Sequence, residues 1–225
     1  MSKIRGIFTF VQFVITVSIT IILMYIFNKH THKIRKVWTG LQVKLLGIQI
    51  EVTGELDPNC DMVIMNHQAL LDIVVMEHLH PRNLAWVGKK EISNLFFFGH
   101  IMKAPQMITI NREDKSGIVT LLKESKDRLE KGRPIAMFPE GTRSDGSKMI
   151  PFKSGAKILA NKYNLSVQPI VLLHTRKVLD SKTLEAKPGI VKVIFLPTVK
   201  ADRKTNWFED TQNQMEEVFY KEVNS

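Results

Sequence analysis

Residues 6–27, GIFTFVQFVITVSITIILMYIF, run for 22 positions without one charged side chain. As a helix they reach about 33 Å at ~1.5 Å per residue, close to the hydrocarbon thickness of a bilayer, so the pattern predicts a membrane helix. The run is too long for the apolar core of a signal peptide and no small-x-small cleavage site follows it, which predicts that it is retained. Residues 37–50, VWTGLQVKLLGIQI, are apolar on one side, carry Trp38 near the interface, and predict a second, shallow membrane helix. After residue 50 the pattern changes to short apolar runs alternating with amphipathic stretches, the signature of an α/β domain. Strands are predicted at 62–65, 84–87, 107–110, 134–138, 167–173 and 191–196. Residues 115–131 place Ile118, Leu121, Leu122 and Leu129 near one face at helical spacing, and Asn206 with Glu209 predicts a capping pair that opens a last helix with Met215, Val218 and Phe219 inside. No repeat, low-complexity tract or linker interrupts the chain, so it divides into an anchoring segment, 1–50, and one catalytic-sized domain, 51–225.

Charge sharpens that division. Of 32 Lys and Arg, seven lie in residues 1–50 (Lys3, Arg5, Lys29, Lys33, Arg35, Lys36 and Lys44), where there is no acid at all. The other 25 nearly balance the 22 Asp and Glu, whereas a nucleic-acid binder keeps a basic face on its folded part, so nucleic acid is set aside as a partner. Two basic residues precede the apolar run and four follow it closely, which by the positive-inside rule places the C-terminal body on the cytoplasmic face of the cell's inner membrane. The same cluster attracts anionic phospholipid. An apolar fraction of 44% is enough for a core and excludes disorder over most of the length. The lone Cys60 excludes an internal disulfide and a cysteine-based zinc site, and it points to a reducing compartment. His78, His80, His100 and His174 lack metal-ligand spacing, so no metal is expected.

Two motifs carry candidate chemistry. His67 and Asp72 stand five apart in NHQALLD, directly after the apolar run MVIM. Inside one regular helix they are turned about 140° from each other, so pairing requires His67 on a strand-to-helix turn, with a helix starting near Gln68 from which Asp72 reaches back. The carboxylate then fixes the imidazole tautomer and stabilises the imidazolium while the other ring nitrogen acts as base. FPEGTRS, residues 138–144, follows a second apolar run and so lies at a strand's C-terminal mouth, the ligand edge of an α/β sheet. Gly141, the Thr142 hydroxyl, exposed backbone N–H groups and the Arg143 guanidinium suit an anion such as phosphate, and Arg112 after MITIN is a candidate second half of the clamp. The chain has no Gly-x-Ser-x-Gly nucleophile elbow. With His67 as base, the substrate must supply the nucleophile, which points to transfer onto the hydroxyl of a phosphate-bearing lipid.

NHQALLD at 66–72, TINR at 109–112, FPEGTRS at 138–144 and VQPI at 167–170 resemble, in order and spacing, the four blocks of the glycerolipid acyltransferase family. GKKEI at 88–92 and PFKSG at 151–155 are smaller echoes, and the resemblance covers about residues 50–200. The second block departs from the family's usual Phe-Ile-Asp-Arg form and the fourth has Gln168 before Pro169, in the region that shapes the acceptor site. The resemblance implies an α/β fold, a mixed sheet flanked by helices behind the N-terminal membrane helix. It implies acyl transfer from a coenzyme A or acyl-carrier-protein thioester to the 2-hydroxyl of lysophosphatidate, giving phosphatidate, with no cofactor besides that co-substrate. His67 is then the general base and Asp72 its orienting partner. Arg112 and Arg143 hold the acceptor phosphate with help from Lys103, and Glu140, Gly141 and Thr142 shape the glycerol site. Two other readings stay open: the same chemistry on glycerol 3-phosphate or another lysophospholipid, and a non-catalytic surface protein that holds anionic lipid whatever stands at position 67.

Overall fold

In the computed structural model, which describes residues 2–112, 114 and 116–224, the uncharged run forms one helix, α1 (Ser2–Ile26). A single 3-10 turn leads into α2 (Thr31–Leu46). α2 ends at Gly47, whose left-handed φ of 66° favours glycine and whose N–H closes on the carbonyls of Lys44 and Val43. β1 (Ile48–Thr53) follows at once. The helix expected over 37–50 is therefore corrected: its last residues are strand, because Gly47 stops the helix and Ile48, Ile50 and Val52 alternate at period two. The helical part of the segment expected over 1–50 ends at Gly47.

The remaining elements are β2 (Met62–Met65), α3 (Leu71–Leu79), β3 (Ala85–Lys89), α4 (Lys90–Ser93), α5 (His100–Lys103), β4 (Ile108–Ile110), α6 (Ser116–Glu130) and β5 (Ile135–Met137), then α7 (Gly155–Tyr163), β6 (Ser166–Leu173), α8 (Thr175–Val178), β7 (Leu179–Asp180), β8 (Glu185–Ala186), β9 (Gly189–Phe195), β10 (Val199–Lys200) and α9 (Trp207–Val223). Each of the six expected strands is present within two residues at either end. The helix expected over 115–131 is α6, with residue 115 outside the described residues. α9 starts where expected and buries Met215 and Phe219, but Asn206 makes no side-chain cap, and Glu209 pairs with Lys157 at 2.6 Å instead.

The main sheet has the order β1-β9-β6-β2-β5-β3-β4, with β10 also on β6. Every pairing is parallel except those of β9 and β10 with β6, so the sheet is mixed. Both faces are covered, which is why its strands read as unbroken apolar runs. Met62, Ile64, Ile135 and Met137 face α6, α7 and α9 through Leu121, Leu159 and Phe219. Their neighbours Val63, Met65, Ala136 and Phe138 face α3 through Val74 and Val75. Each such burial contributes about 1.5–3 kcal/mol. The parallel register brings the C-terminal ends of β6, β2, β5, β3 and β4 to one edge.

α1 lies along this domain and is fixed at both ends. Near its start Arg5 Nη2 donates to the Leu46 carbonyl at 3.0 Å, and a Cβ added to Gly6 would lie 1.8 Å from the Leu184 carbonyl oxygen, so only glycine permits the approach. Near its end the Tyr25 hydroxyl bonds His100 Nδ1, with ring centroids 5.3 Å apart. Between these points a polar stripe turns inward, where Thr16 Oγ1 accepts from Trp38 Nε1 at 3.1 Å and Gln42 Nε2 at 3.0 Å. The opposite stripe, Ile4, Phe8, Val11, Ile15, Ile19, Ile22 and Ile26, is exposed at helical spacing. α2 is clamped to the domain by Arg35 Nη1, which donates to Glu77 Oε1 at 2.6 Å, while Trp86 Nε1 donates to Glu77 Oε2 at 2.8 Å. Lys36 Nζ caps the C-terminus of α3 through the carbonyls of His78 and His80.

Candidate active site

His67 follows β2 on the turn before α3, at the shared C-terminal edge of the sheet. α3 begins at Leu71, three residues later than expected, which makes Asp72 its second residue. Asp72 Oδ2 accepts from His67 Nδ1 at 2.7 Å and from the N–H groups of Gln68 and Ala69 at 2.7 and 2.9 Å. Its Oδ1 accepts from the Thr175 hydroxyl. Asp72 is fully buried, so these four donors replace its whole hydration shell. The imidazole stacks on Phe138 with centroids 3.8 Å apart and planes 11° apart, and Phe138 stacks in turn on Trp86. With Nδ1 taken by the carboxylate, Nε2 is the nitrogen left to act on a substrate.

The 138–144 turn packs directly against this pair. Ser144 N–H donates to the His67 carbonyl at 2.8 Å, and Glu140 Oε1 accepts the His67 N–H at 2.8 Å while its Oε2 accepts the Ile150 N–H at 3.1 Å. Glu140 is wholly buried, and burial pushes its carboxyl from the usual 4.5 up to about 7 against the two N–H bonds that favour its charged form. This corrects the expectation that Glu140 shapes the glycerol site: its oxygens are engaged by backbone, and it fastens the two loops to each other.

Gly141 adopts φ 73°. Arg112, after β4, donates to the Gly141 carbonyl, and the Lys153 side chain flanks the same glycine. Burial lowers the Arg112 pKa while the nearby Glu91 opposes the shift. Thr142 and Arg143 are exposed. Arg143 Nη1 donates to Ser181 Oγ at 3.0 Å, in a cleft it shares with Gln68, Ala69, Arg176 and Lys182. Arg112 thus bonds the Gly141 turn, whereas Arg143, on that turn, extends its guanidinium toward Ser181. Lys103 is placed elsewhere: it lines an open groove of about 460 Å³ with Lys123, Asp127 and Lys131. That groove lies beside the start of β4, whereas Arg112 follows its end, so the topology separates the two.

Thr175 completes the site without having been singled out in the sequence, although it was within reach, since it comes two residues after the end of β6 on the ligand edge. Asn66 and Phe138 open the two quoted motifs, but their parts were not legible there: Asn66 bonds both the N–H and the carbonyl of Leu172, 106 residues away, and Phe138 stacks on the imidazole. Among the described residues no group of three or more His, Cys, Asp or Glu side chains is arranged to hold a metal ion.

A buried carboxylate–imidazole pair, with the basic side chains of Arg112, Arg143 and Lys153 around the adjoining turn, fits a group-transfer enzyme whose nucleophile comes with the substrate. The chain belongs to the acyltransferase family, whose model matches residues 49–173. It is 37% identical over 224 residues to the 1-acyl-sn-glycerol-3-phosphate acyltransferase of Helicobacter pylori strain J99, which covers 98% of this chain and 94% of that protein. It is 31% identical over 165 residues to the 1-acyl-sn-glycerol-3-phosphate acyltransferase of Limnanthes alba, covering 72% of this chain and 59% of that longer one. The crystal structure of the 1-acyl-sn-glycerophosphate (LPA) acyltransferase PlsC from Thermotoga maritima superposes with a TM-score of 0.79 over 100% of this chain and 97% of that one, and at 20% identity it shows a shared fold.

Proposed function

We propose that this acyltransferase moves an acyl chain from a thioester donor to the 2-hydroxyl of 1-acyl-sn-glycerol 3-phosphate, forming phosphatidate. The observation that carries the reading is the His67–Asp72 pair held at 2.7 Å beside the Gly141 turn. His67 Nε2 takes the proton of the 2-hydroxyl as its oxygen attacks the thioester carbonyl. Asp72 stabilises the imidazolium that results. Collapse of the tetrahedral intermediate breaks the carbon–sulfur bond, and the departing thiolate receives the proton from His67. Arg112 and Arg143 hold the acceptor phosphate from two sides, with the exposed Thr142 hydroxyl between them in sequence. The donor, coenzyme A or acyl-carrier protein, arrives already activated and the base belongs to the chain, so the mechanism uses no further cofactor.

The exposed stripe of α1 is proposed to lie in the cytoplasmic leaflet of the inner membrane. Lys3–Ile26 is long and apolar enough to cross a bilayer, with mean hydropathy 2.4. A helix tied to the domain at Gly6 and again at Tyr25 cannot also stand perpendicular to it across a membrane, so it lies along the surface with its apolar side down. The deciding experiment is an acyl-transfer assay of the purified protein with lysophosphatidate, glycerol 3-phosphate and other lysophospholipids, each with both donors. Phosphatidate formation from lysophosphatidate well above every other acceptor supports the proposal, and preference for another acceptor overturns it.

A further inference from the structure

We propose that residues 92–98, between α4 and α5, form a second membrane-inserting element that holds the acceptor side of the active site at the lipid headgroups. This rests on the reading of α1 as a surface-lying anchor. The segment, ISNLFFF, presents Ile92, Leu95, Phe96 and Phe98 to the outside, and Phe96 is 97% exposed. Exposed aromatic side chains clustered in this way mark an interaction surface. The display is built by the backbone. Leu95 N–H bonds the Ile92 carbonyl at 3.3 Å, Gly99 N–H bonds the Leu95 carbonyl at 2.9 Å, and a Cβ at Gly99 would come within 2.3 Å of the Ser93 carbonyl oxygen. Phe97 and Phe98 pack edge to face at 5.5 Å, which stiffens the tip.

The bilayer is the occupant the observations favour, because the patch continues the outer face of α1. His100, one residue beyond Gly99, carries the contact to Tyr25, and Ile22, Tyr25, Ile26 and Phe27 are exposed at that end of α1. The rim carries a basic excess: Lys89 and Lys90 are exposed before the segment with the one acid Glu91 between, and Lys29 follows α1. Aromatic side chains with lysines at their edge suit the boundary between acyl chains and anionic headgroups. The placement also has a catalytic meaning. α4 leaves the sheet at the C-terminal end of β3, and Glu91 on it is close enough to act electrostatically on Arg112. Two insertion points, α1 and this tip, fix the domain's tilt as well as its attachment, so Arg112 is presented to phosphate that is still in the membrane.

The test uses the full-length protein reconstituted into vesicles of 70% phosphatidylcholine and 30% phosphatidylglycerol. Cys60 is wholly buried, so in Phe96→Cys an environment-sensitive fluorophore attaches at position 96, and Gln214→Cys on the exposed side of α9 is the control. The inference requires the label at 96 to brighten, to shift to the blue and to be quenched by lipids brominated near the headgroup, with the label at 214 unchanged. It also requires Phe96→Ser with Phe98→Ser to lower turnover on bilayer-embedded lysophosphatidate by about tenfold or more, while turnover on a short-chain, water-soluble acceptor stays at the parent's value. Protein that floats with vesicles while the label at 96 stays unquenched overturns the second insertion and leaves the α1 anchor standing. Protein that does not float at all overturns both. A signal at 96 that rises with protein concentration without lipid assigns the patch to a second copy of the chain and overturns the proposal.

Discussion

Asp72 and Arg143 serve one edge of one sheet, yet they are held in opposite ways. Asp72 is sealed from solvent and receives four hydrogen bonds, two from backbone, one from His67 and one from Thr175. Arg143 is exposed and donates to one neutral hydroxyl on Ser181. Under the proposed mechanism, the base is fully assembled before substrate arrives, and the proposed phosphate grip is left for the ligand to complete. That division matches the chemistry, since proton transfer needs fixed geometry, whereas a guanidinium facing water keeps its reach and gives up a weak contact for a charged one.

Removing the proposed base tests the rigid half most directly. His67→Ala is expected to lower acyl transfer by ~10²–10⁴-fold in a thioester-release assay, with vesicle binding retained. Activity within about threefold of the parent would sink the base assignment. The next largest effect concerns Glu140 and is one of stability. Its folded carboxyl titrates near 7 against 4.5 when unfolded. The folded state therefore binds this proton more tightly, and its contribution is complete below pH 4.5 and lost as pH rises through 7, a change of about 3 kcal/mol. Unfolding measured from pH 4.5 to 8 should show the parent losing stability relative to Glu140→Gln. A constant difference would mean that the two N–H bonds outweigh burial.

Smaller losses come from loosening the orientation of the imidazole. Asp72→Asn is expected to reduce turnover by ~10–100-fold while leaving measurable activity, since the imidazole survives with a poorer partner. Thr175→Val withdraws one donor from the buried carboxylate and should cost about 1–3 kcal/mol of stability, read by denaturant titration, with a milder loss of rate. The flexible half should respond least. Arg143→Lys keeps the charge and loses the fork, so the acceptor KM should rise by about three- to tenfold with the donor KM unchanged. Equal changes in both constants would make Arg143 a structural residue and erase the contrast with Asp72.

Much of this was legible in the sequence, for identifiable reasons. Strands buried on both faces leave unbroken apolar runs, and the five-residue spacing of His67 and Asp72 made sense only on a strand-to-helix turn. β1 was hidden because an apolar stretch joined it to the preceding helix, with Gly47 as the sole punctuation. The part played by Glu140 was invisible for another reason: it depends on two backbone N–H groups, one of them 73 residues away, and no local pattern encodes such a meeting. Lys103 is the converse case: it is near Arg112 in sequence, but β4 lies between them and Lys103 lines a groove with Lys123, Asp127 and Lys131.

Among the described residues β1 pairs with β9 alone, residue 48 against residue 189, a separation of 141 positions along the chain. At synthesis rates of about 5–20 residues per second, that partner follows by roughly 7–28 seconds. Through nearly all of that interval α1 and α2 have been made, while Leu184, against which Gly6 packs, has not. Closure of β1 on β9 is a slow, long-range step, so this edge of the sheet can be completed only after most of the chain has been made.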